Sequence, residues 1–269
     1  MEILDKILTA ILTAILFVPL AIALANWVLS LICTRSKSNY FLDDLKQLWP
    51  DSLPFLKAQW PILTVVLAVA TWAQLQPVQD LGEKAELGPS MLLLHFGSAV
   101  ISWILNLFYV NYLAAPKYPG RVATIGAWAL MIYVISDTAV LTFGALGTIF
   151  FVIPGLIFFV RSCLFLPIYA IQGYKPLSAI KRSWALTKGK YWLVSRYMGL
   201  PVLILVAFYV YPDLANNSND LDSQAVDTTF QPLTIAITTA AQVLSLVIAG
   251  LLYKLYERLS VEQEQQLTT

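Results

Sequence analysis

Thr148–Ile171 reads TIFFVIPGLIFFVRSCLFLPIYAI, and its only formal charge is Arg161. A helix needs about 20 largely apolar residues to cross the hydrocarbon of a bilayer. This stretch meets that length without a second charge. Reading outward from it, six more stretches qualify: Ile7–Ile32, Trp60–Gln76, Ser90–Leu113, Thr124–Leu141, Tyr191–Tyr211 and Leu233–Tyr256. The segments between them carry turn chemistry: Gln76-Pro77, Gly88-Pro89, Pro116 with Pro119-Gly120, Gly189, and Pro212 before an Asn/Asp/Ser-rich stretch. A short link near Phe143–Gly147 predicts a tight hairpin between the fourth and fifth spans.

Composition agrees. Hydrophobic residues make up 58% of the 269 and charged residues 12%, against roughly 25% charged in soluble domains. A soluble protein of this size would lack the polar surface to cover its core, whereas lipid solvates an apolar exterior. The expected fold is therefore all-α. It is a polytopic transmembrane bundle of about seven spans, a six-helix core plus an amino-terminal helix. The chain divides into an amino-terminal helix (1–34), a six-span membrane domain (35–256) and a polar cytoplasmic tail (257–269). Ala23-Leu24-Ala25 resembles a signal-peptidase site. However, Met1–Lys6 carries more acid than base, and the apolar run continues to Ile32. Both features predict a retained helix.

Lys and Arg placement sets orientation, because cytoplasmic loops retain positive charge. One side of the predicted bundle holds thirteen. They are Arg35, Lys37, Lys46 and Lys57, then Lys117 and Arg121, then Lys175, Lys181, Arg182, Lys188 and Lys190, and finally Lys254 and Arg258. The other side holds Lys6 and Lys84 beside Asp80, Glu83, Glu86, Asp213, Asp220, Asp222 and Asp227. This predicts a multi-pass inner-membrane protein with its amino end outside and its carboxyl end cytoplasmic.

Leu177–Lys188 is too polar to span. Pro176 suits a first helical position and Gly189 a C-terminal stop. Leu177, Ile180 and Trp184 share one face, flanked by Lys181, Arg182 and Lys188. That is the pattern of an interfacial amphipathic helix. With Lys175 and Lys190 it predicts a surface for anionic headgroups, each cation contributing about 1 kcal/mol. An alternative is a helix packed only on protein. Leu42-x-x-Leu45-Lys46-x-x-Trp49 repeats the pattern 135 residues earlier, which predicts a second interfacial helix and is compatible with an internal repeat.

Val152-Ile153-Pro154-Gly155, Arg161, Leu166-Pro167 and Ala179–Gly189, AIKRSWALTKG, together resemble the membrane domain of glycerophosphoryl diester phosphodiesterases and the related inner-membrane proteins of YciC type. The resemblance covers about 40 residues and implies a six-span core. The helix at Ile7–Ile32 departs from that pattern. In the phosphodiesterases hydrolysis belongs to a separate soluble barrel, for which this chain has no room. The resemblance thus implies a membrane partner domain associated with envelope maintenance, not phosphodiesterase activity.

No catalytic constellation is legible. A single histidine, His95, excludes HExxH and multi-His zinc sites. There is no phosphate-binding loop, and Gly97-Ser98-Ala99 is not a nucleophile elbow. Cys33 and Cys163 lack CxxC spacing and read as small hydrophobes. No enzyme activity, cofactor, metal or nucleic-acid partner is expected. Intramembrane ionisable groups are costly, which makes His95, Asp137 and Arg161 the candidates. His95 and Asp137 are predicted at matching depth near the outer ends of adjacent spans, as a pair. Arg161 suits an anion or lipid headgroup, or a structural bond to backbone or Asp137. The expected partner is the phospholipid bilayer, with anionic headgroups. The function expected is non-enzymatic phospholipid interaction supporting envelope integrity. The alternative is a small-solute or lipid transporter with an intramembrane polar path.

Overall fold

The computed structural model describes residues 24–34, 38–75, 89–118, 127–150, 152–172, 175–199 and 227–268. Among these the chain is all-α, without a strand. The helices are α1 (Leu24–Cys33), α2 (Ser38–Leu75), α3 (Pro89–Ala114), α4 (Ala127–Phe150), α5 (Val152–Ser162), α6 (Phe165–Gln172), α7 (Pro176–Thr187), α8 (residues 191–199) and α9 (Asp227–Thr268). Among the described residues one stretch, Ile153–Ile171, is long and apolar enough to cross a membrane. Leu24–Cys33, Val100–Ala114 and Ala129–Val140 are shorter apolar helices.

Proline position explains the breaks near Arg161. Pro154 falls in the first turn of α5 and Pro167 in the first turn of α6. A first-turn N–H has no intrahelical acceptor, so its loss costs nothing there. Further back, the Pro167 ring would clash with the carbonyl of Cys163, and the chain turns at Cys163–Leu164. The hairpin between α4 and α5 forms, but not at Phe143–Gly147, which continue α4. Gly144 and Gly147 weaken a helix by about 1 kcal/mol each without ending it, and the corner lies between Phe150 and Val152. Tyr133 stacks with Phe165 at 6.3 Å, and Tyr169 Oη donates to the Ala129 carbonyl at 2.8 Å. These contacts hold α6 against α4.

Helix α2 joins the Leu42–Trp49 segment and the Trp60–Gln76 span into one 38-residue helix, with Pro50, Pro54 and Pro61 inside it. Each proline removes a donor. Two hydroxyls back-bond within this helix: Ser52 Oγ donates to the Leu48 carbonyl at 2.5 Å, and Thr64 Oγ1 to that of Pro61 at 2.7 Å. Antiparallel to α2 runs the 42-residue α9. Gly250 lets the two approach closely, since a Cβ there would meet Leu48 Cδ1 at 2.6 Å and Tyr109 Oη at 3.0 Å. Small residues serve this purpose in helix bundles. Residues 257–268 continue α9, and Leu259 and Ser260 are buried.

Tyr109, Tyr133, Tyr169, Tyr197 and Tyr253 are fully buried, whereas Ile32, Trp60, Val65, Ile135 and Ile153 are each at least 60% exposed. Five tyrosine rings thus sit inside, while large apolar side chains point outward.

Helix α7 begins at Pro176 and stops at Gly189, whose φ of +75° is the left-handed C-terminal conformation. Its buried residues Ala179, Ser183 and Thr187 correspond, 135 positions on, to buried Asp44, Leu48 and Ser52 of α2. Leu177 and Trp184 point outward, as do Leu42, Leu45 and Trp49. The two segments share both their inward and outward faces. The apolar triad of α7 therefore divides: Leu177 points outward, Ile180 packs on the core and Trp184 contacts α5, while Ala179, Ser183, Leu186 and Thr187 form the buried face.

Candidate functional site

Arg161 lies in the last turn of α5, where a cation complements the helix dipole. Beside it runs a groove of about 420 Å³ between α1, α5 and α8. Ile153, Leu156 and Ile157 line one wall, Ala25, Asn26 and Leu29 another, and Tyr191 and Trp192 a third. The groove thus carries one cation on an otherwise largely apolar channel. The guanidinium lies 5.7 Å from the centroid of the Trp184 ring. No carboxylate pairs with it among the described residues. In particular it does not bond to Asp137, which lines a different cavity. Two hydrogen bonds from α7 hold this turn: Ser183 Oγ to the Arg161 carbonyl at 2.5 Å, and Trp184 Nε1 to Ser162 Oγ at 3.1 Å.

On the opposite side of the same turn, Ser162 and Cys163 face a cavity of about 240 Å³ at the centre of the bundle. Asp137 enters it from α4, Ser102 and Asn106 from α3, and Ser245 from α9. Ser245 Oγ is 3.4 Å from Asn106 Oδ1. Asp137 does not lie near an outer end, because α4 extends to Phe150 and places it mid-helix. The expected pairing with His95 rests on a side chain outside the described residues. Helix α3 meets Asp137 through Ser102 and Asn106, about two and three turns beyond His95. Ser102 and Asn106 form an i, i+4 polar stripe within an apolar span, the signal that could have located this wall from sequence.

No family model, curated protein or solved structure matches this chain. Its sites therefore rest on their own geometry.

The surface cations predicted for headgroups divide. Lys175, Lys181 and Lys188 are exposed. Arg182 is half-buried, its Nε without a partner among the described residues. Lys190 pairs with Glu262 of α9. Trp184 is partly exposed on the outward face of α7.

Sequence reasoning missed a third feature, a charge network at one end of the bundle. Asp44, buried on α2, accepts from Arg258 Nη2 at 2.5 Å and from Tyr197 Oη. Arg258 also lies over the Tyr40 ring at 4.2 Å. Lys254 bonds Asp51 at 2.9 Å, and Lys117 bonds Glu257 at 3.1 Å. Burial alone would lower the Arg258 guanidinium, but its bond and charge contact with Asp44 carry it above its ordinary value. Burial likewise works against Lys117, and Glu257 raises it on balance. Helix α1 joins this end of the bundle through Asn26, which bonds Ser195 and Tyr191 of α8. Arg196 Nη1 donates to the Thr34 carbonyl at 3.1 Å.

Proposed function

We propose that this chain is a seven-span inner-membrane protein, amino end outside and carboxyl end cytoplasmic, that holds an anionic phospholipid of the inner leaflet without acting on it chemically. The observation that carries the reading is the Arg161 groove: a planar cation at one end of an apolar channel on the side of the bundle. Arg donors match two phosphate oxygens at once, and acyl chains would lie along Ile153, Leu156 and Ile157. Lys181 and Lys188, exposed on α7 beside the outward Leu177 and Trp184, would draw the same leaflet toward the groove. The resemblance of Val152–Gly189 to the membrane domain of glycerophosphoryl diester phosphodiesterases and YciC-type proteins favours a lipid-facing role in envelope integrity. The central polar cavity favours a second reading, a small-solute path.

Native mass spectrometry of the detergent-purified chain tests the lipid reading. Wild type should retain anionic phospholipid, Arg161→Lys should retain less, and Arg161→Leu should retain none, with unfolding temperature unchanged. Equal retention in all three removes the groove as the site. Orientation is tested in a Cys33→Ser, Cys163→Ala background with Ser218→Cys or Gln266→Cys. An impermeant thiol reagent applied to outer-membrane-permeabilised cells should label only the Ser218 site. Labelling at the Gln266 site would reverse the topology.

A further inference from the structure

The central cavity carries chemistry that phospholipid binding does not use. Asp137 has no hydrogen bond or ion pair to any described residue, and no Lys, Arg or His is among the lining residues. A carboxylate held away from bulk water without a cation is expensive, so such a group takes up either a proton or a cation. Around it stand four aromatic side chains, Trp103, Tyr133, Phe159 and Phe165. Ring faces carry negative potential and attract cations, and a cage of rings with one anion is the arrangement that binds quaternary and other alkylated ammonium groups.

From these features we infer that the Asp137 cavity binds a small organic ammonium ion, with the carboxylate as counter-charge and the rings as its walls. Hydroxyls of Ser102, Ser162 and Ser245 and the amide of Asn106 would accept from any N–H or O–H the ligand carries. A bare metal ion suits the site less well. It would need several oxygens converging on a point, and no cluster of three His, Cys, Asp or Glu side chains exists among the described residues. The polar groups instead come from four helices, around a space of about 240 Å³. This inference does not rest on the lipid groove, which faces the other side of α5.

Calorimetric titration of the full chain in nanodiscs tests it, with choline as probe. Two controls accompany it: the uncharged isostere 3,3-dimethylbutan-1-ol, and sodium at matched ionic strength. Choline should bind saturably, and the isostere at least about tenfold more weakly, since it matches the shape without the charge. Asp137→Asn should abolish choline binding, and Trp103→Leu should weaken it several-fold. Arg161→Leu should leave it unchanged while removing the retained lipid, which separates this inference from the lipid reading. Absence of saturable choline binding by the native chain overturns the proposal. So does equal binding of the isostere, or a response to sodium alone. These three outcomes use wild-type protein, so the test survives a poorly folding Asp137→Asn.

Discussion

Trp184 engages Arg161 and its neighbour through two different parts of one indole. The Arg161 guanidinium lies 5.7 Å from the ring centroid, while the ring N–H donates to Ser162 Oγ at 3.1 Å. Cation–π attraction contributes about 0.5–1 kcal/mol at exposed sites and about 2 when desolvated. A neutral hydrogen bond contributes about 1 kcal/mol. The two are similar in size but separable by substitution.

Trp184→Phe keeps a ring for Arg161 and removes the N–H. Lipid retention should persist, with stability lowered by about 1 kcal/mol. Trp184→Leu removes both, and anionic-lipid retention should fall several-fold because the guanidinium loses its orienting surface. Equal lipid signals in the two variants would show that the ring does not position Arg161.

The bond between Asp44 and Arg258 predicts a characteristic asymmetry. Either Asp44→Leu or Arg258→Leu strands a charge, which should cost about 2–4 kcal/mol, discounted from a fully buried pair because Arg258 is partly exposed. The double variant strands neither and should recover at least half of that loss. Unfolding temperatures in one detergent give all four corners of the cycle. Additive losses would mean that the two residues act independently.

Gly250→Ala should destabilise by about 1–3 kcal/mol, because the new methyl meets Leu48 at 2.6 Å and Tyr109 Oη at 3.0 Å. In a Leu48→Ala background the same change should cost far less, since the space is then vacant. If Gly250→Ala is neutral in wild type, the close approach of α9 and α2 is not constrained there.

Asn111 is 4% exposed on α3, and neither atom of its amide has a partner among the described residues. An unmet buried amide costs about 1–3 kcal/mol. Asn111→Leu should therefore raise the unfolding temperature. A lower one would reveal a hydrogen-bonding occupant of the neighbouring groove formed by Phe55, Gln59 and Ile104.

What the sequence could reveal follows from range. Apolar runs and helix-end signals act within a few turns, so the stretch around Arg161, the start of α7 at Pro176 and its stop at Gly189 were legible. Prolines act locally too, but their effect depends on position within the helix. Pro167 marks a break, while Pro50, Pro54 and Pro61 sit inside α2. Nothing local distinguishes these cases. Asp44 is 214 positions from Arg258, and Asp137 meets Ser245 across the cavity from another helix. Those meetings depend on packing. Misplacing the α4 corner by a few residues also misplaced Asp137, which lies mid-helix rather than near an end.

Consecutive residues on a helix point about 100° apart, which is why Arg161 can serve the lateral groove while Ser162 serves the central cavity. Ser183 and Trp184 of α7 bond to this turn, and the Trp184 ring also packs edge-on against Phe158 one turn earlier. The turn is therefore a shared wall: α7 fixes the backbone on which both residues stand, so either side chain can be replaced without re-aiming the other. Because the gripping residues belong to a helix whose Leu177 is 75% exposed, the element that fixes this turn also carries an apolar side chain to the outer surface.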